Sequence, residues 1–253
     1  MFDTHSHLDV DLFDRDRDEV VARARAAGVE AILVPAIRPT TWDGLRALGD
    51  KYDVVRLAFG IHPQVVPDLA PGEADDLVER LVAADGIAIG ETGLDGGTDD
   101  RDRQEELFRA HIRAAREKKL PLIVHVLRAH DVAPRILREE KAHEVGGVMH
   151  SYSGGAALVG IYRDLGMAFS FAGPVTYPNA RKPVEAARLI PDELLLAETD
   201  SPDQAPEPHR GGRSEPAFVA DVIAGLARIR GKSPEEMARL TTENARRIFG
   251  HRP

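Results

Sequence analysis

The feature that most constrains this chain is a repeated alternation of short apolar runs with longer amphipathic stretches. Runs of strand length fall at residues 31–36, 54–60, 86–90, 120–124, 147–149, 167–171 and 194–197, and residues 1–5 bring the count to eight. Helix-like patterns occupy residues 17–27, 74–84, 102–118, 132–142, 155–165, 182–190 and 215–230. Such alternation indicates βα units around a parallel sheet. Runs such as Ala31-Ile32-Leu33-Val34 and Leu194-Leu195-Leu196-Ala197 are apolar on both faces, as strands covered on both sides require. An open, doubly wound sheet produces the same local pattern. Closure into a (β/α)8 TIM barrel of the α/β class is favoured because the units fill nearly the whole chain and their polar endings are chemically alike. No Gly/Ser-rich linker divides the sequence, so one barrel domain over residues 1–253 is expected. The most turn-rich segments, 93–102 and 201–214, follow the strands that end at Glu91 and Asp200, which is where barrel enzymes build their sites. The stretch 233–249 opens with Ser-Pro-Glu-Glu, a helix start, and is expected to close the barrel from below.

The strand endings carry the chemistry. His5 and His7 are two apart, so on an extended segment both imidazoles point the same way. Ala88-Ile89-Gly90-Glu91 ends in an acid, Leu122-Ile123-Val124-His125 and Gly147-Val148-Met149-His150 end in histidines, and Leu196-Ala197-Glu198-Thr199-Asp200 brings two acids close together. A barrel gathers such endings around one axis, and burying them together is costly unless they hold a cation or pair with one another. The chain has no cysteine, so thiolate zinc sites, disulfides and a cysteine nucleophile are excluded and any ion must sit on nitrogen and oxygen.

These residues, together with Asp3-Thr4-His5-Ser6-His7-Leu8-Asp9, Gly60-Ile61-His62-Pro63, Gly90-Glu91-Thr92-Gly93-Leu94-Asp95, His150-Ser151-Tyr152-Ser153-Gly154 and Glu198-Thr199-Asp200-Ser201-Pro202, resemble the TatD-like metal-dependent hydrolases of the amidohydrolase superfamily over almost the full chain. The resemblance implies a (β/α)8 fold and two divalent ions, Mg²⁺, Mn²⁺ or Zn²⁺. His5, His7, Glu91 and Asp200 would hold one ion, and Glu91, His125 and His150 the other, with Glu91 shared. Metal-activated water would be the nucleophile, with Asp200 as general base beside Glu91. His62 would contact substrate or orient a ligand. Arg128 would contact phosphate, cap the next helix or face solvent, since it follows His125 by three residues where the family commonly has two. Arg210 and Arg213 lie in an arginine/glycine element that has Ser214 where Asn is usual, and they would approach phosphate or fix the loop. Gly96-Gly97-Thr98-Asp99-Asp100 replaces the aromatics common after Gly-Leu-Asp in the family.

The implied activity is a deoxyribonuclease that removes nucleotides from a strand end, with DNA or a small phosphodiester as substrate. The alternatives are ester, lactone or amide hydrolysis, including a misacylated nucleic acid, and, least favoured, a metal-stabilised scaffold without activity. With 33 Lys and Arg against 42 Asp and Glu, the net charge of -9 argues against a protein that wraps duplex DNA. The first residues lack the basic patch and apolar run of a secretory signal, and no stretch is long enough to span a membrane, so a cytoplasmic location is expected. No obligate protein partner is implied. Trp42 reads as packing, the alternating charges at residues 14–18 as a solvated helix entry, and the basic residues at 113–119 as a wet helix face. His111, His130, His143, His209 and His251 fall outside the metal motifs and are assigned to helix surface or loop.

Overall fold

The computed structural model describes residues 1–250. Eight strands, β1 (Phe2–Asp3), β2 (Ala31–Pro35), β3 (Val55–Phe59), β4 (Ala88–Asp95), β5 (Leu122–Leu127), β6 (Gly147–Met149), β7 (Met167–Phe171) and β8 (Leu195–Ala197), lie in chain order. All neighbouring pairs are parallel. The ring is drawn together just beyond the last and first strands. There the Thr4 amide donates to the Ala197 carbonyl at 3.3 Å, Asp200 to His5 at 2.9 Å and His7 to Ser201 at 2.7 Å. Helices α1 (Arg17–Ala26), α2 (Trp42–Lys51), α3 (Leu77–Ala83), α4 (Arg101–Lys118), α5 (Ala133–Glu139), α6 (Val159–Asp164), α7 (Lys182–Leu189) and α8 (Val219–Arg230) follow the strands one by one. This is the expected (β/α)8 barrel. Among the described residues no helix is long and apolar enough to cross a membrane.

α2 was not anticipated from the sequence, because Gly44, Gly49, Asp43 and Asp50 dilute its pattern. Its buried Trp42, Leu45 and Leu48 nonetheless recur every third residue on the face that meets the sheet. Trp42 is therefore a core residue. The helices expected at 74–84, 155–165 and 215–230 shorten at their N-terminal ends, the last two being preceded by 3-10 turns. The basic residues of α4 form ion pairs along its outer side, Arg113 with Glu140 at 2.8 Å and Arg116 with Glu144 at 2.7 Å.

Strand alternation divides the core into two layers. In β2, Ile32 and Val34 pack under the helices, while Ala31 and Leu33 face the barrel interior with Phe2, Ala58, Ala88, Ile123, Val148, Ala168 and Leu196. A final helix, α9 (Pro234–Phe249), starts at Ser233, whose hydroxyl accepts from the Glu236 amide, and brings Ala245 and Phe249 against that interior layer. The Phe249 and Phe2 rings lie 6.0 Å apart. One end of the barrel is thus plugged with apolar side chains, and the polar strand endings occupy the other.

Two backbone features aim those endings. Extending the inward alternation past Ile123, Val148 and Leu196 reaches His125, His150, Glu198 and Asp200. On β4 the same count from Ala88 would turn Glu91 outward. The pairing corrects this: Ile89 lies opposite Leu122 but Thr92 opposite Val124, so one extra residue bulges from β4 and Glu91 is turned to the axis. Gly93 then crosses so close to β5 that a Cβ would stand 1.9 Å from the His125 carbonyl oxygen, and its φ of +140 also favours glycine.

His111 departs from its assigned place on a helix surface. It is fully buried, and its Nε2 accepts the Ile61 amide at 2.9 Å. Its Nδ1–H therefore donates to the Leu107 carbonyl at 2.7 Å, and the ring clamps α4 to the loop that carries His62. Burial lowers the imidazole to about 4 against the bonded Leu107 carbonyl, which raises it. Between pH 6.5 and 4 the unfolded chain binds a proton at His111 that the folded chain does not. This contribution to stability is complete above pH 6.5, is lost as pH falls toward 4, and amounts to about 3 kcal/mol at most. Denaturant titrations across that window should show a steeper loss for the wild type than for His111→Gln; equal slopes would refute the clamp.

Candidate metal centre

The site is built around one carboxylate. Glu91, fully buried on β4, has Oε1 at 2.7 Å from His150 Nε2, 3.0 Å from His62 Nε2 and 3.1 Å from His125 Nδ1. Its Oε2 lies 3.0 Å from His5 Nε2 and 3.5 Å from His7 Nε2. Asp200 Oδ1 is 3.7 Å from the Nε2 atoms of both His5 and His7, while the Gln204 side-chain amide donates to Oδ2. The structure therefore brings together all six residues assigned to the ions. His62 joins them on the wall of a cavity of about 530 Å³ that opens above the cluster.

Behind this ring stand acids to which the sequence reading gave no role. Asp95, at the end of β4, approaches His125 Nε2 at 3.5 Å and is held by the Gln64 side-chain amide and the Gly97 amide, each at 2.8 Å. Glu198 lies 3.7 Å from His150 Nδ1 and accepts the Ser170 hydroxyl. Asp3 accepts the Thr199 amide at 2.8 Å and the Thr199 hydroxyl at 2.6 Å, tying β1 to the loop after β8. Asp3 lies two residues before His5, Glu198 two before Asp200, and Asp95 pairs with Leu127, two past His125; this spacing from the assigned residues is the signal that could have found them.

The electrostatics are those of a crowded buried cluster. Burial favours the neutral form of Glu91, yet His150, His62 and His5 together hold its carboxyl well below the usual range. Burial and the neighbouring His5 push His7 down to about 3. Burial also opposes charge on His150, but Glu91 and Glu198 raise it well above an ordinary histidine, and Asp95 and Glu91 raise His125. Burial raises Asp200 against the pull of His150 and His5.

His62 differs from the rest. Its Nδ1 accepts the Gln64 amide at 3.1 Å, which in the neutral ring places the proton on Nε2, where it donates to Glu91. Its ring orients the carboxylate from the cavity wall.

The donors fit divalent ions. His5 Nε2 and His7 Nε2 face each other at 3.3 Å, an arrangement that needs a shared proton or a cation. Glu91 Oε2 is buried without a hydrogen-bond partner, as are His5 Nδ1, His7 Nδ1, His125 Nε2 and His150 Nδ1. Ligand atoms within 4.8 Å of one another come from His5, His7 and Asp200, from His5, His150 and Glu198, and from His62, Glu91 and His125. Nitrogen and carboxylate donors in this mixture suit Zn²⁺ or Mn²⁺.

The three arginines expected at phosphate do not line the cavity. Arg128 is exposed at a left-handed φ of 51, with its guanidinium beside Gly97. Arg210 stacks 4.2 Å from the Tyr177 ring centroid and pairs with Glu207 at 3.5 Å. Arg213 is bound to Asp16 at 2.6 Å and to the Leu12 carbonyl at 2.7 Å, a contact that fixes the loop after β8 to the one after β1. His130 bonds Tyr162 and Ser153, His209 stacks on Phe218, His143 is exposed, and His251 lies outside the described residues.

The model of the TatD related DNase family matches residues 2–250. The uncharacterized metal-dependent hydrolase YabD of Bacillus subtilis is 40% identical over 252 residues, covering 98% of this chain and 98% of that protein. YcfH of Escherichia coli, an uncharacterized metal-dependent hydrolase, is 40% identical over 255 residues, covering 98% of this chain and 95% of that protein. The crystal structure of YjjV, a TatD homolog from Escherichia coli, superposes with a TM-score of 0.92 at 30% identity, covering 100% of this chain and 98% of that one.

Because their neighbouring carboxylates draw His125 and His150 toward the protonated form, an ion taken up there would displace those protons, and affinity should fall as pH drops. Titration calorimetry near neutral pH in two buffers of different ionisation enthalpy is expected to register proton release. Asp95→Asn should weaken ion affinity about 10–100-fold in competition with a chelator while the fold is retained. Unchanged affinity would mean that Asp95 does not orient His125.

Proposed function

This chain belongs to the TatD-related DNase family of metal-dependent hydrolases, and from that premise we propose that it is a deoxyribonuclease that hydrolyses phosphodiester bonds from a strand end. The observation that carries the reading is the buried Glu91 carboxylate ringed by imidazoles at the base of an open cavity. The size of that cavity supports action at an end: about 530 Å³ lies in the range of small-ligand pockets and suits a single nucleotide better than a duplex.

His5, His7 and Asp200 would hold one divalent ion and His125 and His150 the other, with the two oxygens of Glu91 shared between them. Bound there, the ions supply polarisation of the scissile group and acidify water. The remaining work falls to the chain. Gln204 fixes Asp200 through Oδ2, leaving Oδ1 turned toward the cluster as the proton acceptor. Burial raises its basicity, which improves its match to proton transfer near neutral pH. His62 holds Glu91 from the cavity side, while Asp95 and Glu198 stand behind His125 and His150. Ester or lactone hydrolysis is the second reading, favoured by the apolar patch of Phe171, Pro174, Val175 and Pro183 on the wall and by its having a single lysine and no arginine among the described residues.

End-labelled single-stranded DNA incubated with metal-replete protein should release mononucleotides, and a chelator should abolish the release. Asp200→Asn is expected to lower kcat by about 10²–10⁴-fold. Measuring its metal content alongside separates loss of the base from loss of the ion. If the wild type leaves DNA intact but opens simple esters or lactones, the nuclease reading fails.

A further inference from the structure

Of the lysines and arginines among the described residues, Lys182 alone lines the cavity above the cluster. It opens α7, is exposed, and has neither an ion pair nor a hydrogen bond to an acid. Several other cations around the barrel are held by acids. Arg213 is bound by Asp16, Arg38 by Glu73, and Arg109 and Arg113 by Glu140.

Its position is also unfavourable for the helix it begins. The N-terminal end of a helix carries the positive end of the backbone dipole and is stabilised by acids, yet here Arg181 and Lys182 stand in sequence at that end. A lysine kept there contributes little to the fold. The wall it shares carries the uncharged Phe171, Pro174, Val175 and Pro183 as well as Asp203 and the acids of the cluster, and among the described residues no ion pair joins Lys182 to any of these acids.

We propose that Lys182 selects substrates that carry a second anionic group, a phosphate or a carboxylate, in addition to the group that is cleaved. The inference rests on the reading of the cluster as a hydrolytic centre but does not require the scissile bond to be a phosphodiester. In a nucleic acid the second group is a neighbouring or terminal phosphate. In an ester substrate it is a free carboxylate on the same small molecule. The ammonium is a point charge on a flexible stem, so it tolerates variation in where that group lies.

The test compares pairs of probes that differ only in the second charge. Labelled dithymidylate with and without a terminal phosphate, placed at either end in turn, is bound to metal-replete Asp200→Asn protein in equilibrium dialysis, so that binding is read without turnover. Turnover of 4-nitrophenyl succinate monoester against 4-nitrophenyl acetate by protein with Asp200 intact covers the carboxylate source. In at least one pair, Lys182→Ala is expected to weaken the member with the second charge about tenfold, in Kd or KM, and to change the member without it less than twofold. Lys182→Glu should widen the loss, Lys182→Arg should restore most of it, and added salt should narrow the difference. Thermal unfolding should be unchanged, since the side chain is exposed. The proposal is overturned if Lys182→Ala alters the members with and without the second charge equally or alters neither, or if protein with Lys182 intact does not distinguish the members of either pair. Failure of the nuclease reading looks different: phosphorylated dithymidylate binds through Lys182, but protein with Asp200 intact does not cleave it.

Discussion

A carboxylate removed from water at the axis of the barrel sets the terms for everything around it. Glu91 is fully buried, and no lysine or arginine among the described residues pairs with it; its close neighbours are the imidazoles of His5, His7, His62, His125 and His150. An ionised carboxylate in such a place costs several kcal/mol unless positive charge comes with it. Imidazoles can supply that charge only by taking protons, and protonated rings this close repel one another. The cluster therefore divides: His150 and His125 are driven toward the charged form, while His7 is driven toward the neutral one. A bound metal cation would resolve this conflict, because one cation satisfies several neutral nitrogens and the carboxylate at once.

Holding that arrangement is a matter of backbone before side chains. The extra residue in β4 turns Glu91 inward, and the glycine at position 93 lets β4 run against the strand that bears His125. Asp3 fastens the segment of His5 to Thr199, next to Asp200. The opposite end contributes differently. The apolar plug of Phe2, Ala245 and Phe249 buries no ionisable group, so the folding energy gathered there can support a polar, charge-strained end that would not stabilise a fold by itself.

How much of this was legible in the sequence depends on whether a residue acts through strand alternation or through a loop. His5, His7, Glu91, His125, His150 and Asp200 ended recognisable apolar runs, so the topology that gathers them could be read together with their chemistry. α2 escaped because two glycines and two acids interrupt the stripe of Trp42, Leu45 and Leu48. His111 escaped because a single histidine within a charged helix carries no mark of burial; its acceptor role exists only once the Ile61 amide is placed against it. The arginines were the least legible, although Arg213 fixes its loop and Arg128 faces solvent, each an alternative the sequence left open. Arg128, Arg210 and Arg213 lie in segments whose path follows no periodic rule, and a phosphate-contact assignment to such residues rests on motif position alone.

The fate of those arginines also bears on specificity. In a chain with more acids than bases, most exposed guanidinium groups have a carboxylate within reach, and a fork-shaped donor satisfied by a nearby acid is poorly placed to recognise a distant phosphate. Arg213 shows this: its fork closes on Asp16, and its contact with Leu12 ties two loops together. What remains for an anionic ligand on the cavity wall is Lys182, among the described residues the one lysine or arginine there, and one without an ion pair. Chemistry and selection are thereby separated in the fold. The residues that would hold the ions are fixed by strand ends that alternation and the β4 bulge leave little freedom to move, whereas Lys182 stands outside those strands, at the start of a helix.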